Sequence, residues 1–407
     1  MDPDKESATA LTRHYQPDSP DAANGCKTAW IHQKRRDIID ACKWRDLASL
    51  RSLAESRGGF LDDHLRRAAW PILLGVTSSG AVPNGQARPR QTDSALGVYW
   101  TQLPRHREED QVQLDVNRSF IYYPNDQSKA ELEQRKTELS SLIVEVLRRN
   151  PYLCYFQGFH DICQVFMLVL EPALRARAVA RLSVLRIRDF MLPSLGPTTA
   201  HLRLLPDVLA NADAELRRHI ASIEPFYALA GTLTMYAHNI ENYPDIARLF
   251  DAFLAREPVF SIYVFAQIVV DRRDEILEID ESDMLQVILA KVPSGMDIDA
   301  LIAKSVRLFD EHPPDSLRSW GRVSDVSVLK TARDIAVCAD QTLDEGHAYF
   351  HQQIKEIQWL DMQDRVKMLL WRHRRPIKLV GMAFAAAASG IYLRRNPSAV
   401  QYVLSLL

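Results

Sequence analysis

Glycine is scarce in this chain, at 15 of 407 residues, about half the usual ~7%. Architectures that spend glycine on many tight β-turns are therefore disfavoured. Paired cysteines are missing too. The five cysteines (Cys26, Cys42, Cys154, Cys163 and Cys338) are odd in number and widely spaced, with no C-x-x-C pair. They read as reduced, cytosol-facing thiols rather than a disulfide or zinc framework. No charge sign dominates, because 50 Lys and Arg face 52 Asp and Glu for a net charge of -2. A strongly basic face is the usual mark of a nucleic-acid binder, so no nucleic-acid partner is expected. HExxH, G-x-x-x-x-G-K-[ST] and G-x-S-x-G are absent from the sequence, which leaves zincin, P-loop and α/β-hydrolase readings without their signatures.

A hydrophobic fraction of 47% and a charged fraction of 25% match globular averages. Wholesale disorder is excluded, and the length favours two or three units. Residues 1–27 carry Pro, Asp and Ser without an apolar period, and lack the basic start and apolar core of a targeting peptide. They read as a disordered arm. From Thr28 to Leu74 apolar residues recur at helical spacing (Trp30, Ile31, Ile38, Ile39, Cys42, then Leu47, Leu50, Leu53, Ala54), interrupted at Gly58-Gly59. Residues 77–97 are rich in Pro, Gly, Ser and Asn and form a surface insertion.

Ser128 and Glu131 have capping-box spacing and open a helix that Pro151 ends at Asn150. Phe159 to Leu170 is apolar almost all round, as in a helix buried on most sides. Further helices are expected at 198–220, 224–240, 244–255, 259–273, 282–291, 297–311 and 329–370. No alternating β-branched run is bounded by hairpin turns, so the fold class is all-α. The expected layout is a helical domain over 28–325, a helical linker over 326–375, a membrane-anchor segment over 376–395 and a short tail over 396–407. No motif is interpretable in 312–345.

The anchor expectation rests on Leu379 to Leu393, 15 uncharged and mostly apolar residues. They would span only ~22 Å as a helix against a ~30 Å hydrocarbon core, so a buried helix and a membrane span both stay open. Six Lys and Arg lie between 365 and 378, while Arg394 and Arg395 alone follow the segment. Such a bias puts the N-terminal side in the cytosol. Only 14 residues follow Leu393, which fits a tail anchor.

Two short segments carry chemistry. In VQLDVNRSF (112–120), Asp115 and Arg118 are three apart and share a face on a helical turn. The carboxylate can hold the guanidinium fork while other donors remain free for an anion; an ordinary ion pair is the alternative. In NPYLCYFQGF (150–159), Gln157 stands before Gly158 and a buried helix. A carboxamide there can donate and accept at once, as orientation of a water requires; a plain helix-start glutamine is the alternative. Gly158 permits a close backbone approach. His160-Asp161 has the look of a metal-phosphohydrolase dyad, but no further ligand set accompanies it. Cys154 reads as filler.

Together these segments resemble the TBC-domain family of Rab GTPase-activating proteins. Val112, Asp115 and Arg118 match its I-x-x-D-x-x-R motif, and Tyr155, Gln157 and Gly158 match Y-x-Q-G. Arg66 and Trp70 match R-x-x-x-W, and the similarity runs from about Gly58 to about Val270. Departures are Val112 for isoleucine and Ser119 where threonine is commoner. The resemblance implies a multi-helix Rab-GAP domain in which Arg118 is an arginine finger and Gln157 positions water in place of the GTPase's own glutamine. Asp115 would orient Arg118, Tyr155 would brace the glutamine segment, and Arg66 and Trp70 would be scaffold, with Arg66 near the finger. The implied partner is a GTP-bound Rab, which brings GTP and Mg²⁺, so the chain needs no cofactor of its own. The wording GGFLDDHLRRAAWPILL, NPYLCYFQGFHDI and RLFDAFLA, with the apolar tail, resembles a membrane-anchored branch of the family. That branch implies the endoplasmic reticulum membrane, a cytosolic catalytic domain and a Rab of the early secretory pathway. A non-catalytic, membrane-anchored Rab-binding adaptor is the alternative.

Overall fold

A computed structural model describes residues 20–76, 99–124, 127–372 and Arg395. Every regular element among them is an α-helix or a short 3-10 turn, in keeping with the all-α expectation. Helix α1 spans Pro20–Trp44, so it starts inside the stretch read from sequence as an arm. Asp46 then accepts from the Ser49 amide and caps α2, Leu47–Glu55, which buries Leu50 and Ala54. Gly58 and Gly59 follow with φ of +75° and +51°. A Cβ at Gly59 would stand 2.5 Å from the Asp251 carboxylate, so the chain reverses where no side chain fits.

Helix α3, Asp63–Leu73, is capped by Asp62 and buries Leu65, Arg66, Ala69, Trp70 and Leu73 on one stripe. Its polar members meet one buried carboxylate. Asp251, on the helix Tyr243–Ala255, accepts from Arg66 Nε at 3.0 Å, Arg66 Nη2 at 3.1 Å, Trp70 Nε1 at 2.8 Å and the Phe60 amide at 3.1 Å. The Trp70 ring lies 5.5 Å from Phe166 and 6.0 Å from Phe250.

Phe166 belongs to α6, Phe159–Val169, which is buried along almost its whole length, as its apolar sequence requires. Around it pack α3, α4 (Glu109–Val116), α5 (Lys129–Arg149) and α7 (Pro172–Leu185). The capping box at Ser128 and Glu131 is formed, and Asn150 caps the other end of α5 ahead of Pro151.

Three long helices expected from the sequence are instead divided. The 198–220 stretch forms Gly196–Leu202, Leu205–Ala212 and Ala214–His219, the last begun by an Asp213 cap. The 224–240 stretch forms a 3-10 turn, Pro225–Ala228, and a short helix, Leu229–Leu233, before Met235 and Tyr236 take positive φ. The 329–370 stretch forms Val328–Thr331, Ile335–Asp340 and Leu343–Arg372, with Asp334 capping the middle piece. Asp189 explains part of this last division. This buried carboxylate accepts from Ser327 Oγ at 2.5 Å and the Val328 amide at 3.2 Å, and pairs with His201 Nε2 at 2.8 Å. Arg181 Nη2 donates to the Ala339 and Gln341 carbonyls at 3.0 and 2.8 Å. The segment that carries no readable motif is thus packing material, and the first compact unit extends to Phe350.

The second unit starts at His351. Apart from Arg395, its described part is the remainder of the Leu343–Arg372 helix, which exposes Trp359, Leu360, Met368 and Trp371. Among the described residues no helix is long and apolar enough to cross a membrane. The anchor expected at 376–395 lies outside the described residues except for Arg395, as do the 77–97 insertion and the 396–407 tail.

Burial pushes the Asp189 carboxyl upward, but His201, Arg188 and Ser327 outweigh it and hold its pKa at about 2. A depressed carboxylate stabilises the fold above its unfolded pKa, and that contribution is lost as pH falls through the folded value. Asp189→Asn is therefore expected to cost about 2–3 kcal/mol at neutral pH. The gap in melting temperature from wild type should narrow between about pH 4 and pH 2. Thermal unfolding across that range checks it, and a gap independent of pH would contradict this account.

Candidate functional site

Asp115 occupies the last turn of α4, with its side chain fully buried. The helix exit is tight, since the Arg118 amide donates to the Asp115 carbonyl and the Ser119 amide to that of Val116, both at 3.0 Å. This brings the Arg118 side chain back over α4, where Nη2 donates to Asp115 Oδ1 at 2.5 Å. The guanidinium side is otherwise open, because the Arg118 side chain is 61% exposed. An exposed ion pair contributes little, but here the carboxylate end is dry and the cationic end wet.

The second carboxylate oxygen is taken by the other motif. Tyr155 donates its hydroxyl to Asp115 Oδ2 at 2.9 Å across 40 positions of sequence. The Tyr155 amide donates to Glu108 Oε2 at 2.5 Å, just ahead of α4. Both ends of the tyrosine are therefore fixed to the segment that carries Arg118. Burial, reinforced by the Asp115 carboxylate, pushes the Tyr155 hydroxyl far above its ordinary pKa. It stays a proton donor at physiological pH.

Gln157 follows Tyr155 by two residues and is exposed, and its carboxamide has no hydrogen-bond partner among the described residues. Gly158 then turns the chain into α6 with φ of +100°. A Cβ there would lie 2.5 Å from Thr234 Cγ2. Glycine is required at 158 for both its backbone angle and its neighbour, and that turn presents Gln157 at the surface.

Arg66 and Trp70 sit elsewhere in the fold. Arg66 bonds Asp251 and, through Nη1 at 2.9 Å, Asp63, so the guanidinium is spent inside the scaffold and does not bond Asp115. Its link to the segment that carries Arg118 is indirect. Asp63 accepts from the Tyr243 hydroxyl at 2.7 Å, and the Tyr243 ring lies 5.6 Å from Tyr123.

Sequence reasoning passed over Glu108 and Gln164 near the pair and weighed His160 only as half of a metal dyad. His160 stands 3.3 Å from the Tyr155 hydroxyl through Nδ1 and 3.2 Å from Asp161 through Nε2. Burial lowers its pKa, the neighbouring carboxylates notwithstanding, so the ring is neutral at pH 7. Asp161 also pairs with exposed His238 at 3.0 Å and raises its pKa. The His-Asp dyad is thus a hydrogen-bonded support, and no group among the described residues could hold a metal. Glu108 gave no signal in the sequence. Gln164 gave one, as a lone polar amide in the apolar run of α6. Burial pushes the Cys154 thiol up, which leaves it a poor nucleophile.

The site can grip an anion with a pre-oriented guanidinium and orient a water with a free carboxamide. Comparison with known proteins identifies the family. The family model described as the Rab-GTPase-TBC domain matches residues 63–277. TBC1 domain family member 20 of Homo sapiens is 31% identical over 366 residues, covering 88% of this chain and 86% of that protein. GTPase-activating protein gyp10 of Schizosaccharomyces pombe is 30% identical over 293 residues, covering 70% of this chain and 75% of that protein. The flagellar RabGAP TBC domain of Chlamydomonas superposes with a TM-score of 0.49 at 14% identity, covering 68% of this chain and 95% of that one. The chain belongs to the Rab-GTPase-TBC domain family and carries a TBC Rab-GAP domain.

Proposed function

We propose that this Rab GTPase-activating protein works by supplying two side chains to a GTP-bound Rab, Arg118 as the arginine finger and Gln157 as the group that positions water. The observation that carries the reading is the Asp115 carboxylate, whose two oxygens hold Arg118 and Tyr155 separately. One buried group thereby ties the orientation of the guanidinium to that of the segment bearing the carboxamide. Hydrolysis of GTP builds negative charge on the transferring phosphoryl group and needs an in-line water. A guanidinium held at one nitrogen keeps its remaining donors for that charge. The Gln157 carboxamide can accept from the water and donate to a phosphate oxygen at the same time. An arginine delivered in trans is typically worth about 10³–10⁵ in rate, or about 4–7 kcal/mol. The Rab brings GTP and Mg²⁺, so the chain needs no cofactor of its own. A non-catalytic adaptor would have no use for both groups presented together.

Attachment to the endoplasmic reticulum membrane through 376–395 completes the proposal, with the catalytic domain in the cytosol and an early secretory Rab as substrate. Its support is the apolar run with its upstream Lys and Arg excess and the resemblance of the motif wording to a membrane-anchored branch of the family.

Single-turnover hydrolysis across a panel of GTP-loaded Rabs should identify a substrate whose turnover Arg118→Lys slows by about 10³-fold, because charge survives but the planar fork is lost. Rab binding should persist, and unchanged turnover would refute the finger assignment. Tyr155→Phe should lower the rate about 10-fold through loss of one hydrogen bond to a charged acceptor, with Rab affinity unaltered. A drop in affinity at constant rate would instead make Tyr155 a binding residue. For the membrane, carbonate extraction should leave the full-length chain in the pellet and release a variant lacking 376–395; release of both would remove the anchor.

A further inference from the structure

The loop that follows Arg118 is held from below by a residue outside both motifs. Phe120 is buried and adopts φ of +62°, a left-handed conformation that side chains with a Cβ disfavour. Such a residue persists only where its surroundings impose it. The imposing group is Gln164 on α6, buried at 5% exposure. Its Oε1 accepts from the Phe120 amide at 3.1 Å, and its Nε2 donates to the Tyr123 carbonyl at 3.2 Å. One carboxamide thus closes residues 120–123 at both feet, while Ile121 and Tyr122 between them stay exposed. The Asp115 side acts on the far end of the Arg118 side chain. Gln164 acts on the backbone two positions beyond it.

We propose that Gln164 is a positioning residue for the arginine finger, fixing the backbone from which Arg118 projects by clamping the 120–123 loop onto the helix that Gln157 and Gly158 lead into. This rests on the reading of Arg118 as the finger. Without the clamp, Phe120 is free to leave the left-handed region, and the Cα of Arg118 moves with it. Misplacement of a reacting group by about 1 Å costs about 10²-fold in rate. Binding of the Rab, spread over a wider surface, does not depend on that placement.

The test compares wild type, Gln164→Met, Arg118→Ala and the double variant on the panel Rab that the wild-type chain accelerates most. Methionine keeps the length of the side chain and removes both hydrogen bonds. Gln164→Met should lower kcat about 10–100-fold with KM for the GTP-loaded Rab within about threefold of wild type. In the Arg118→Ala background it should cause no further loss, because a group that acts only through Arg118 has nothing left to position. Multiplicative losses, an unchanged kcat, or a rise in KM alone would overturn the assignment. A wild-type rate in Arg118→Ala would overturn the finger reading and this inference together; a large loss there with multiplicative behaviour overturns Gln164 alone.

Gln164→Glu decides the matter if the methionine variant does not melt cooperatively. An ionised carboxylate accepts from the Phe120 amide but has no proton for the Tyr123 carbonyl, whereas the protonated acid serves both. Burial raises the pKa of such a carboxyl. The rate of Gln164→Glu relative to wild type should therefore climb between about pH 8 and pH 6. A flat ratio would overturn the proposal.

Discussion

Removing a carboxylate from water costs several kcal/mol or more unless donors replace the lost solvent. Asp115 is fully buried, and its donors come from both sides of the site: Arg118 and Gln111 on one oxygen and Tyr155 on the other. Because the cost of leaving any lone pair empty is high, the carboxylate constrains the groups around it more than they constrain it. Arg118 is held by its tip while the rest of the side chain stays in solvent. Tyr155 is held by both its hydroxyl and its amide. The geometry of the two exposed groups, guanidinium and carboxamide, follows from that single anion.

The same device recurs through the scaffold. Asp251 collects Arg66, Trp70 and the Phe60 amide, joining α3 to a helix some 185 positions away. Asp189 collects Ser327, the Val328 amide and His201. Each buried carboxylate fastens segments that no local pattern could bring together. Packing then carries the effect to the site, since Trp70 rests on Phe166 of α6 and α6 begins at the glycine that presents Gln157.

Helix boundaries were legible wherever a local signal marked them. The capping box at Ser128 and Glu131, the stop at Asn150-Pro151 and the apolar run of α6 all lie where the sequence indicates. The expected helices at 198–220 and 329–370 are split where Asp213 and Asp334 cap a new helix although the apolar period continues, and the one at 224–240 is broken where Met235 and Tyr236 take positive φ. Periodicity reports which face is apolar, not whether the backbone stays continuous. The site was similarly half visible. Asp115 and Arg118 are neighbours on a turn and announce their pairing, whereas Glu108, His160 and Gln164 act only through residues brought near by folding.

What the sequence determined alone was therefore local: helical identity, caps, a glycine at 158 and a carboxylate three residues before an arginine. Only the tertiary structure decided that the Tyr155 hydroxyl would meet Asp115 across 40 positions, that Arg66 would be spent on Asp251, and that Gln164 would grip the loop beyond Arg118. The reason is the range of the forces that write each feature. Backbone preference and side-chain spacing act within a few residues, while the partner of a buried polar group is whichever donor or acceptor the packed helices leave within 3 Å or so of it.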